Sequence, residues 1–565
     1  MSVPDTVITQ NSRASTAARA AWALLIVATL YVCYFSHLGA IGFVGPDEPR
    51  YVWIARDMAE TGDWVTPRLY GKPWFEKPPL FYWGAAVSFK LLGVSEAAAR
   101  LPSAISALLA TLALAWLALR LYGAETARWL LLLLPTTVGM IGFSHAAATD
   151  MPFSGMLTIA MVCAAVILGL TRSENSPVIP QAPWLALLLF GFFLGLAVLA
   201  KGPAGIILSG GAIFFWALFT KRRRDAFRLF HPAALASFCV TALPWYILCA
   251  RRNPGFLRIF FIEHNFKRFL TPEFQHLQPF WYYAPVLLIA FLPWTALLVW
   301  STVEDAVRLW RTRSIDQSTS FLICWAAFCI TFFSLSQSKL PGYVLPSIPA
   351  LCLIVSYQLV LVAPAHRKSF RLVLLSTALF FSVLFALIEV ATPHISRANE
   401  NLEIPAGLVA ALMGVSNLIL ATLYPLRRDR GERRLFAVIC VVPLLLGVSL
   451  MDRLFSSYFH WDPSGRTISQ ELLRRGIPTR DLAVRSMSRG QRYSLGFYLH
   501  HEIAEWDREH PREGYLLVGG RYCGMEVASD LTCREIPFDL GTTGFFLYRI
   551  ERRSPPTLPR REQLH

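Results

Sequence analysis

Residues 21–51 read AWALLIVATLYVCYFSHLGAIGFVGPDEPRY, and this stretch decides the class of fold. Its apolar part, 21–43, is long enough to cross a bilayer, because a membrane helix needs about 20 such residues. The run is too long for a signal-peptide core and lacks a convincing cleavage site, so it is interpreted as a retained anchor. Asp47 and Glu48 follow at once. The stretch therefore predicts a membrane helix that delivers two carboxylates to a membrane surface.

The rest of the 565-residue chain repeats this apolar pattern. Hydrophobic residues make up 55% of it and charged residues only 16%, with a mean hydropathy of +0.45. These values exclude a soluble multidomain protein, a disordered chain, a collagen and a disulfide scaffold. We predict a polytopic α-helical membrane protein with about thirteen transmembrane helices. The predicted spans are 21–43, 98–121, 124–142, 150–171, 183–200, 202–220, 232–250, 281–302, 318–336, 341–362, 369–391, 403–425 and 433–451.

The net charge of +16 is interpreted through the loops that carry it. Four short basic loops fall on one side of the predicted membrane, and the positive-inside rule makes that side cytoplasmic. They are 221–224, 308–313, 367–368 and 427–434. The N-terminus is then cytoplasmic, and an odd number of spans places the C-terminus outside. Such a distribution indicates anionic lipids as partners of the inner loops and argues against nucleic acid.

The opposite side carries the long segments. They are a first outer loop at 44–97, a second at 251–280 and a C-terminal region at 452–565. The last changes abruptly to the composition of a soluble protein and predicts a small α/β domain, separate from a membrane domain at 1–451. Within it, 481–487, 501–506, 515–519 and 544–550 are predicted strands, and 470–475 and 494–500 are predicted helices.

The first outer loop opens with acidic residues on a predicted surface helix. Asp47 and Glu48 precede Tyr51, Ile54 and Met58 at helical spacing, which is typical of a helix lying along the membrane with one apolar face. One alternative is that Asp47 only caps this helix and Glu48 only adds a favourable first-turn charge. The other is that both are functional, because two carboxylates exceed what a cap needs.

Further ionisable residues collect at the same side. Lys77, in the run Trp74–Pro79, is a candidate for binding phosphate, and the alternative is a snorkelling lysine paired with Glu76. Asp150 stands at a turn between two spans, where it is either functional or a helix cap. Lysines in short outer loops run against the positive-inside rule, so Lys201 and Lys339 predict an anionic partner. The alternative for both is snorkelling to the headgroups.

Six motifs in this order resemble one family. They are Pro-Asp-Glu-x-Arg-Tyr from Pro46, Phe-Glu-Lys-Pro-Pro from Phe75, Thr-Asp-Met-Pro-Phe from Thr149, Ala-Lys-Gly-Pro from Ala200, Glu-His-Asn-Phe-x-Arg-Phe from Glu263, and Ser-Lys-Leu-Pro-x-Tyr from Ser338. The pattern is similar to that of the bacterial lipid A aminoarabinose transferases (ArnT), which are GT-C glycosyltransferases related to protein O-mannosyltransferases. By motif the resemblance covers about residues 20 to 350.

The resemblance implies a function and a location. It implies an enzyme of the bacterial inner membrane, with loops 44–97 and 251–280 and domain 452–565 in the periplasm. Such an enzyme transfers 4-amino-4-deoxy-L-arabinose from undecaprenyl phosphate to a lipid A phosphate, which confers polymyxin resistance. We expect a monomer whose partners are these two lipids and the membrane.

The resemblance also implies roles for individual residues. Asp47, Glu48, Lys77 and Asp150 would be catalytic, with Asp47 orienting a substrate or stabilising oxocarbenium character rather than acting as a base. The donor phosphate would be bound by Lys77, Arg56, Lys201, Arg268, Lys339 and Tyr343. The resemblance leaves two alternatives for a cofactor: none, or a divalent ion such as zinc, to which Glu76 and His264 could supply ligands.

Two rival functions remain open at this point. A protein O-mannosyltransferase-like enzyme would need Asp47 as a true base toward a hydroxyl acceptor. A lipid-linked sugar flippase would keep ionisable groups near mid-membrane, whereas the candidates here cluster at one face.

Overall fold

The computed structural model describes residues 5–171, 183–271, 277–312, 315–361, 464–509, 513–520, 531–537 and 545–552, together with helical positions 375, 379, 441, 445 and 449. The chain divides into two compact units. The first, the membrane unit, comprises Met1–Leu38, Ala55–Pro67 and Pro73–Leu454. The second, the mixed unit, comprises Gly39–Ile54, Arg68–Lys72 and Phe455–His565. The mixed unit therefore draws its residues from both halves of the sequence.

Helices dominate the chain up to residue 361. They are α1 (Asp5–Tyr34), α2 (Asp47–Thr61), α3 (Leu80–Leu92), α4 (Glu96–Tyr122), α5 (Ala124–Leu133), α6 (Val138–Ser144), α7 (Asp150–Ile167), α8 (Trp184–Lys201), α9 (Ala204–Phe219), α10 (Arg223–Ala226), α11 (Pro232–Arg252), α12 (Arg268–Leu270), α13 (Tyr283–Ala290), α14 (Thr295–Thr312), α15 (Gln317–Leu335) and α16 (Ile348–Leu361). Turns of 3-10 helix cover Phe227–Phe230, Phe280–Tyr282 and Pro341–Ser347, and a π-helix covers Arg258–Lys267.

Six helical segments of the described residues are long and apolar enough to cross a membrane, and a seventh counts if α5 and α6, bent by 63°, form one broken span. The six are α4, α7, α8, α11, α15 and Pro341–Val360. They match predicted spans within a few residues. The predicted spans 369–391, 403–425 and 433–451 lie outside the described residues apart from isolated positions, so the count of thirteen stays a prediction.

Two predicted spans differ from the structure. The first span was expected to end at residue 43, but α1 ends at Tyr34, and His37 then adopts a left-handed backbone with φ of 56° that turns the chain. The span predicted over 281–302 is divided into α13 and α14. Pro293 lies in that break, and a proline lacks the N–H that a continuous helix needs there.

The mixed unit contains a five-stranded sheet. Its strands are β3 (Leu482–Arg485), β4 (Ala504–Glu505), β5 (Gly514–Gly519), β6 (Leu531–Ile536) and β7 (Phe545–Arg552), which follow the short strands β1 (Arg68–Leu69) and β2 (Lys72–Pro73) in the chain. The order is β4-β3-β5-β7-β6, with β3 parallel to β4 and β5, and β7 antiparallel to β5 and β6. Four of these strands fall on predicted stretches, and β6 was not predicted.

Helices pack beside this sheet, at α17 (Arg466–Arg474), α18 (Arg489–Leu499) and α19 (Trp506–Glu509). The two predicted helices correspond to α17 and α18. Ile468 and Leu472 of α17 share an apolar core with Leu495 and Leu499 of α18 and with Leu517 of the sheet. The C-terminal region is thus a sheet with helices, and its predicted starting point at residue 452 lies outside the described residues.

The residues just after α1 are built into the mixed unit. Ser494 Oγ donates to the Phe43 carbonyl over 2.9 Å, and the Phe43 ring meets that of Phe497 edge-on at 4.9 Å between ring centres. Arg466 Nη2 donates to the Ala40 carbonyl over 2.9 Å. A Cβ on Gly490 would come within 2.7 Å of the Gly45 backbone, so only glycine permits this approach. The predicted boundary between a membrane domain and a C-terminal domain is therefore incomplete, because residues 39–54 belong with the latter.

Candidate active site

Asp150 and Lys201 form an ion pair at one end of the membrane unit. Lys201 Nζ donates to Asp150 Oδ1 over 2.6 Å, and the two side chains are largely buried, at 10% and 21% exposure respectively. Asp150 begins α7 and Lys201 ends α8, so the packing of these two neighbouring helices places both at the same end. The helix cap is Thr149, which makes no side-chain capping bond. Asp150 therefore does more than cap its helix.

Tyr343 lies against the same lysine. The Lys201 Nζ is 4.7 Å from the centre of the Tyr343 ring and 5.5 Å from that of Phe153. A partly desolvated cation over an aromatic face is stabilised by the ring's quadrupole. The motif that contains Tyr343 also brings backbone against Asp150, because a Cβ on Gly342 would lie 2.5 Å from Asp150 Oδ1. Three of the six motifs thus meet at one ion pair.

We expect Gly342→Ala to reduce activity by about tenfold or more, because its methyl group would push the Asp150 carboxylate away from Lys201. The measurement is the initial rate of sugar transfer by the purified protein. Gly142→Ala is the matched control, since a Cβ there meets nothing within 4 Å. Equal rates for both variants would show that the carboxylate can move without consequence.

The motif Glu-His-Asn-Phe-x-Arg-Phe also lies close to this ion pair, because Gly202 leaves room for the helix that contains it. Gly202 has a φ of +70°, and a Cβ there would lie 2.7 Å from the Phe260 ring and 3.5 Å from Asn265 Oδ1. Phe260 and Asn265 belong to the π-helix Arg258–Lys267, a form of helix often found at functional sites. The Glu-His-Asn-Phe segment is therefore held directly beside the turn that carries Lys201.

Lys77 belongs to a segment anchored in the same region of the membrane unit. Its Nζ is 3.8 Å from Glu76 Oε1, and the side chains are only 13% and 10% exposed. Phe75 packs against an apolar cluster that includes Leu199 and Phe260. Phe75, two residues before Lys77, and Leu199, two residues before Lys201, therefore pack in the same apolar cluster. The pairing with Glu76 was one expected alternative, but burial distinguishes this lysine from one that reaches out to headgroups.

Lys339 has a different environment from Lys201. Its Nζ donates to the carbonyls of Ser336 (2.6 Å) and Gln278 (2.9 Å), and the residue is 7% exposed. Burial lowers the pKa of Lys339 from its ordinary value. The ammonium group fastens the turn after α15 to the segment before α13, which favours a structural task over donor-phosphate binding.

Lys339→Met should therefore reduce stability more than substrate affinity. The buried Ser336 carbonyl and the Gln278 carbonyl would lose a charged donor, at a cost of about 2 kcal/mol. Thermal unfolding in detergent measures the first effect, and the KM for the lipid-linked sugar measures the second. A several-fold rise in KM with unchanged unfolding temperature would instead indicate that Lys339 binds the donor phosphate.

Asp47 and Glu48 occupy the first turn of α2, within the part of it that belongs to the mixed unit. Asp47 forms an ion pair with Arg50, whose Nε donates to the Pro46 carbonyl over 2.7 Å and whose guanidinium is 5.7 Å from the Tyr493 ring centre. The Asp47 side chain is 46% exposed, whereas that of Arg50 is 6% exposed. The carboxylate is thus oriented by a buried arginine while staying accessible. Arg50 was not among the predicted site residues.

Glu48 has a local structural partner. Its Oε2 accepts a hydrogen bond from the Val44 backbone N–H over 2.9 Å, and the residue is 9% exposed. This contact stabilises the turn that precedes α2. It agrees best with the alternative in which Glu48 only adds a favourable charge to the first turn.

Two of the remaining candidate residues are located as follows. Arg56 is buried in the membrane unit, with its Nε 3.7 Å from Glu60 Oε1. Arg268 begins the short helix α12, and its side chain lies outside the described atoms.

The residues proposed for a metal do not form a complete site in the described part of the chain. No group of three His, Cys, Asp or Glu side chains is placed to hold an ion there. A zinc site normally uses three or four protein ligands, and Glu76 and His264 alone fall short of that number. We therefore derive no step through a metal.

The site combines a lysine and a carboxylate in one pair, a tyrosine over the lysine, and a second buried lysine nearby in the fold. Fixed cations in a partly desolvated site stabilise a phosphate that accumulates negative charge. The carboxylate can receive a cationic group. Such a site suits transfer of a group from an anionic carrier at a membrane face.

Known proteins share this fold and part of this sequence. A crystal structure of ArnT from Cupriavidus metallidurans bound to undecaprenyl phosphate superimposes with a TM-score of 0.73 at 25% identity, covering 94% of this chain and 98% of that one. Residues 20–260 match the family model for dolichyl-phosphate-mannose-protein mannosyltransferase. Fold and site together define a polytopic membrane glycosyltransferase.

The particular family follows from two relatives with the same name, undecaprenyl phosphate-alpha-4-amino-4-deoxy-L-arabinose arabinosyl transferase. The one from Aeromonas salmonicida is 30% identical over 431 residues, or 76% of each chain. The one from Erwinia tasmaniensis is 33% identical over 327 residues, which span 58% of this chain and 57% of that relative. The chain belongs to this arabinosyl transferase family, which confirms the resemblance found in the sequence.

Proposed function

We propose that the protein transfers 4-amino-4-deoxy-L-arabinose from undecaprenyl phosphate to a phosphate of lipid A. The observation that carries this proposal is the Asp150–Lys201 pair with Tyr343 against the lysine. A phosphate-linked aminosugar bears one negative and one positive group, and an ion pair in the free protein can exchange partners with both. Lys201 would turn to the phosphate and Asp150 to the sugar's ammonium group.

The proposed reaction is a displacement at the anomeric carbon. An oxygen of the acceptor phosphate forms the new bond to that carbon, while the bond from it to the undecaprenyl phosphate oxygen breaks. The electron pair of the broken bond leaves with undecaprenyl phosphate. Because a phosphate acceptor is already ionised, no proton has to be removed from it and no strong base is needed.

Each candidate residue then has a task in this scheme. Lys77 and Lys201 stabilise the charge on the departing phosphate, with Arg268 and Tyr343 helping to bind the donor head. Asp47 orients a substrate or stabilises positive charge at the anomeric carbon, and Arg50 holds its carboxylate in place. Glu48 supports the turn before Asp47 rather than taking part in the chemistry.

An aspartate for the ammonium group predicts sugar selectivity. We expect Asp150→Asn to lower kcat/KM for the aminosugar by about 100-fold, because an amide cannot neutralise the ammonium group. The measurement compares the aminosugar donor with an N-acetylated one, whose nitrogen carries no positive charge. A smaller gap between the two donors in the variant supports the assignment, and equal losses on both would contradict it.

The match of residues 20–260 to the mannosyltransferase family model favours one rival function, that of a transferase with a hydroxyl acceptor. It would use Asp47 as a general base. Transfer of radiolabel from a polyprenyl-phosphate sugar to protein, with none to lipid A, would support this rival and exclude lipid A as acceptor.

The direct test of the main proposal is mass spectrometry of lipid A from bacteria with and without the gene. A pentosamine-sized addition that depends on the gene is the expected result, and unchanged lipid A would exclude the proposed acceptor. Sensitivity to polymyxin should follow the same pattern. We propose that the protein acts as a monomer in the inner membrane, with the N-terminus in the cytoplasm and the mixed unit in the periplasm.

A further inference from the structure

An apolar groove of about 700 Å³ runs along the membrane unit. Its walls are α8, α9 and the start of α11, and the 3-10 turn Phe227–Phe230 closes one end. Gly210 of α9 lies in the wall and is exposed, and a Cβ there would meet nothing within 4 Å. The groove has the size of a ligand site rather than of a packing defect.

The closed end of the groove is strongly positive. Five cations and a single acid lie between residues 221 and 228, and that acid, Asp225, is paired with Arg222 (2.6 Å) and Arg228 (3.2 Å). Arg223 lines the groove, Arg224 follows it, and both are exposed. Neither makes an ion pair within the described residues. Their charge is therefore available to a negative group at this end of the groove.

Aromatic side chains complete the pattern of a membrane boundary. Phe227 and Phe230 are 71% and 66% exposed beside these arginines. Large apolar side chains next to free cations are typical of a segment that lies at the level of lipid headgroups. A ligand there would have an anionic head at the arginines and an apolar tail along α9.

We propose that this groove binds one anionic diacyl phospholipid, with its phosphate at Arg223 and Arg224 and an acyl chain along Gly210. The donor's phosphate is not the group bound at Arg223, because in the proposed function it must reach Lys201, which precedes α9. Arg223 follows α9, a helix of 16 residues that rises about 24 Å. The lipid thus occupies the leaflet faced by the basic loops, opposite to the candidate active site.

The test is native mass spectrometry of the full-length protein in a neutral detergent, titrated with phosphatidylglycerol, with phosphatidylcholine, and with phosphatidylglycerol in competition with an equal amount of undecaprenyl phosphate. The wild type should retain one phosphatidylglycerol in preference to phosphatidylcholine. Arg223→Gln with Arg224→Gln should remove this preference, at roughly fivefold for each arginine. Gly210→Trp should remove retention of both phospholipids, since the indole would fill the groove.

Two variants serve as matched controls. Gly142→Trp places the same side chain at another exposed glycine with open space, and Arg311→Gln removes an exposed charge near the end of α14. Both should bind lipid as the wild type does. Thermal unfolding of every variant identifies any that fails to fold, and a smaller substitution, Gly210→Leu, then takes the place of the tryptophan.

Three outcomes would overturn the proposal. Equal retention of phosphatidylglycerol and phosphatidylcholine by the wild type would mean that the arginines do not select an anionic headgroup. Unchanged retention in the Gly210 variants would mean that charge alone holds the lipid at the surface. Displacement of phosphatidylglycerol by an equal amount of undecaprenyl phosphate would make the groove part of the donor site. None of these readouts depends on transferase activity.

Discussion

Replacing Lys77 by alanine should lower kcat by at least about 100-fold, the usual cost of removing one group that stabilises transition-state charge. The side chain is largely buried beside Glu76, and its segment is anchored through Phe75 in the core that also holds Leu199. A charge in such a position is pre-oriented and loses little energy to reorganisation. The measurement is single-turnover transfer from undecaprenyl-phosphate aminoarabinose to lipid A.

The control for Lys77 is Lys72→Ala, an exposed lysine of the same loop. It should retain wild-type kcat, which excludes a general effect of lost positive charge. Lys77→Arg should recover part of the activity if charge is what matters. Wild-type turnover by Lys77→Ala would remove this residue from the chemical step.

Asp47→Asn should reduce kcat by a similar factor, about 100-fold, with a much smaller change in KM. The substitution keeps the shape of the side chain but removes the charge that Arg50 orients. If Asp47 stabilises positive charge at the anomeric carbon, the loss should be similar for a phosphate and a hydroxyl acceptor. If it acts as a base, as in the mannosyltransferase-like alternative, transfer to a hydroxyl acceptor should lose far more than transfer to a phosphate acceptor, which has no proton to remove.

Stability has to be measured together with the Asp47 variant. Arg50 is buried, and a buried guanidinium that loses its carboxylate partner is destabilising. Glu502→Gln is a suitable control because it removes an exposed charge from the same unit. Normal folding with lost turnover supports a chemical role, whereas a lower unfolding temperature with normal turnover would assign Asp47 to structure alone.

The membrane character, several spans and the candidate residues could be predicted from local sequence. Apolar length fixes a span, and a lysine in a short loop against the charge rule is visible without any structure. The pairing of Asp150 with Lys201 was not predicted, because the two are 51 residues apart and only the packing of α7 on α8 brings them together. The signal was nevertheless present, since the start of one span and the end of the next lie at the same membrane face.

Local sequence patterns could not predict which segments of the chain make up the mixed unit. Phe43 is 451 residues from Ser494, and its apolar neighbours look like the end of a membrane span until their contacts are known. The edge strand β6 was missed for a related reason. Its sequence, Leu-Thr-Cys-Arg-Glu-Ile, has few apolar residues. This is typical of a strand at the edge of a sheet, where charged side chains prevent pairing with another chain.

The contacts between residues 39–45 and α18 also set an order of events during synthesis. The segment that carries Asp47 leaves the ribosome early, but the residues that hold it in place are made last. The growing chain must therefore keep this segment unfinished until nearly the whole polypeptide has crossed or entered the membrane. A chain interrupted before α18 has every span of the described membrane unit and still lacks an organised Asp47. Completion of synthesis thereby becomes a condition for activity.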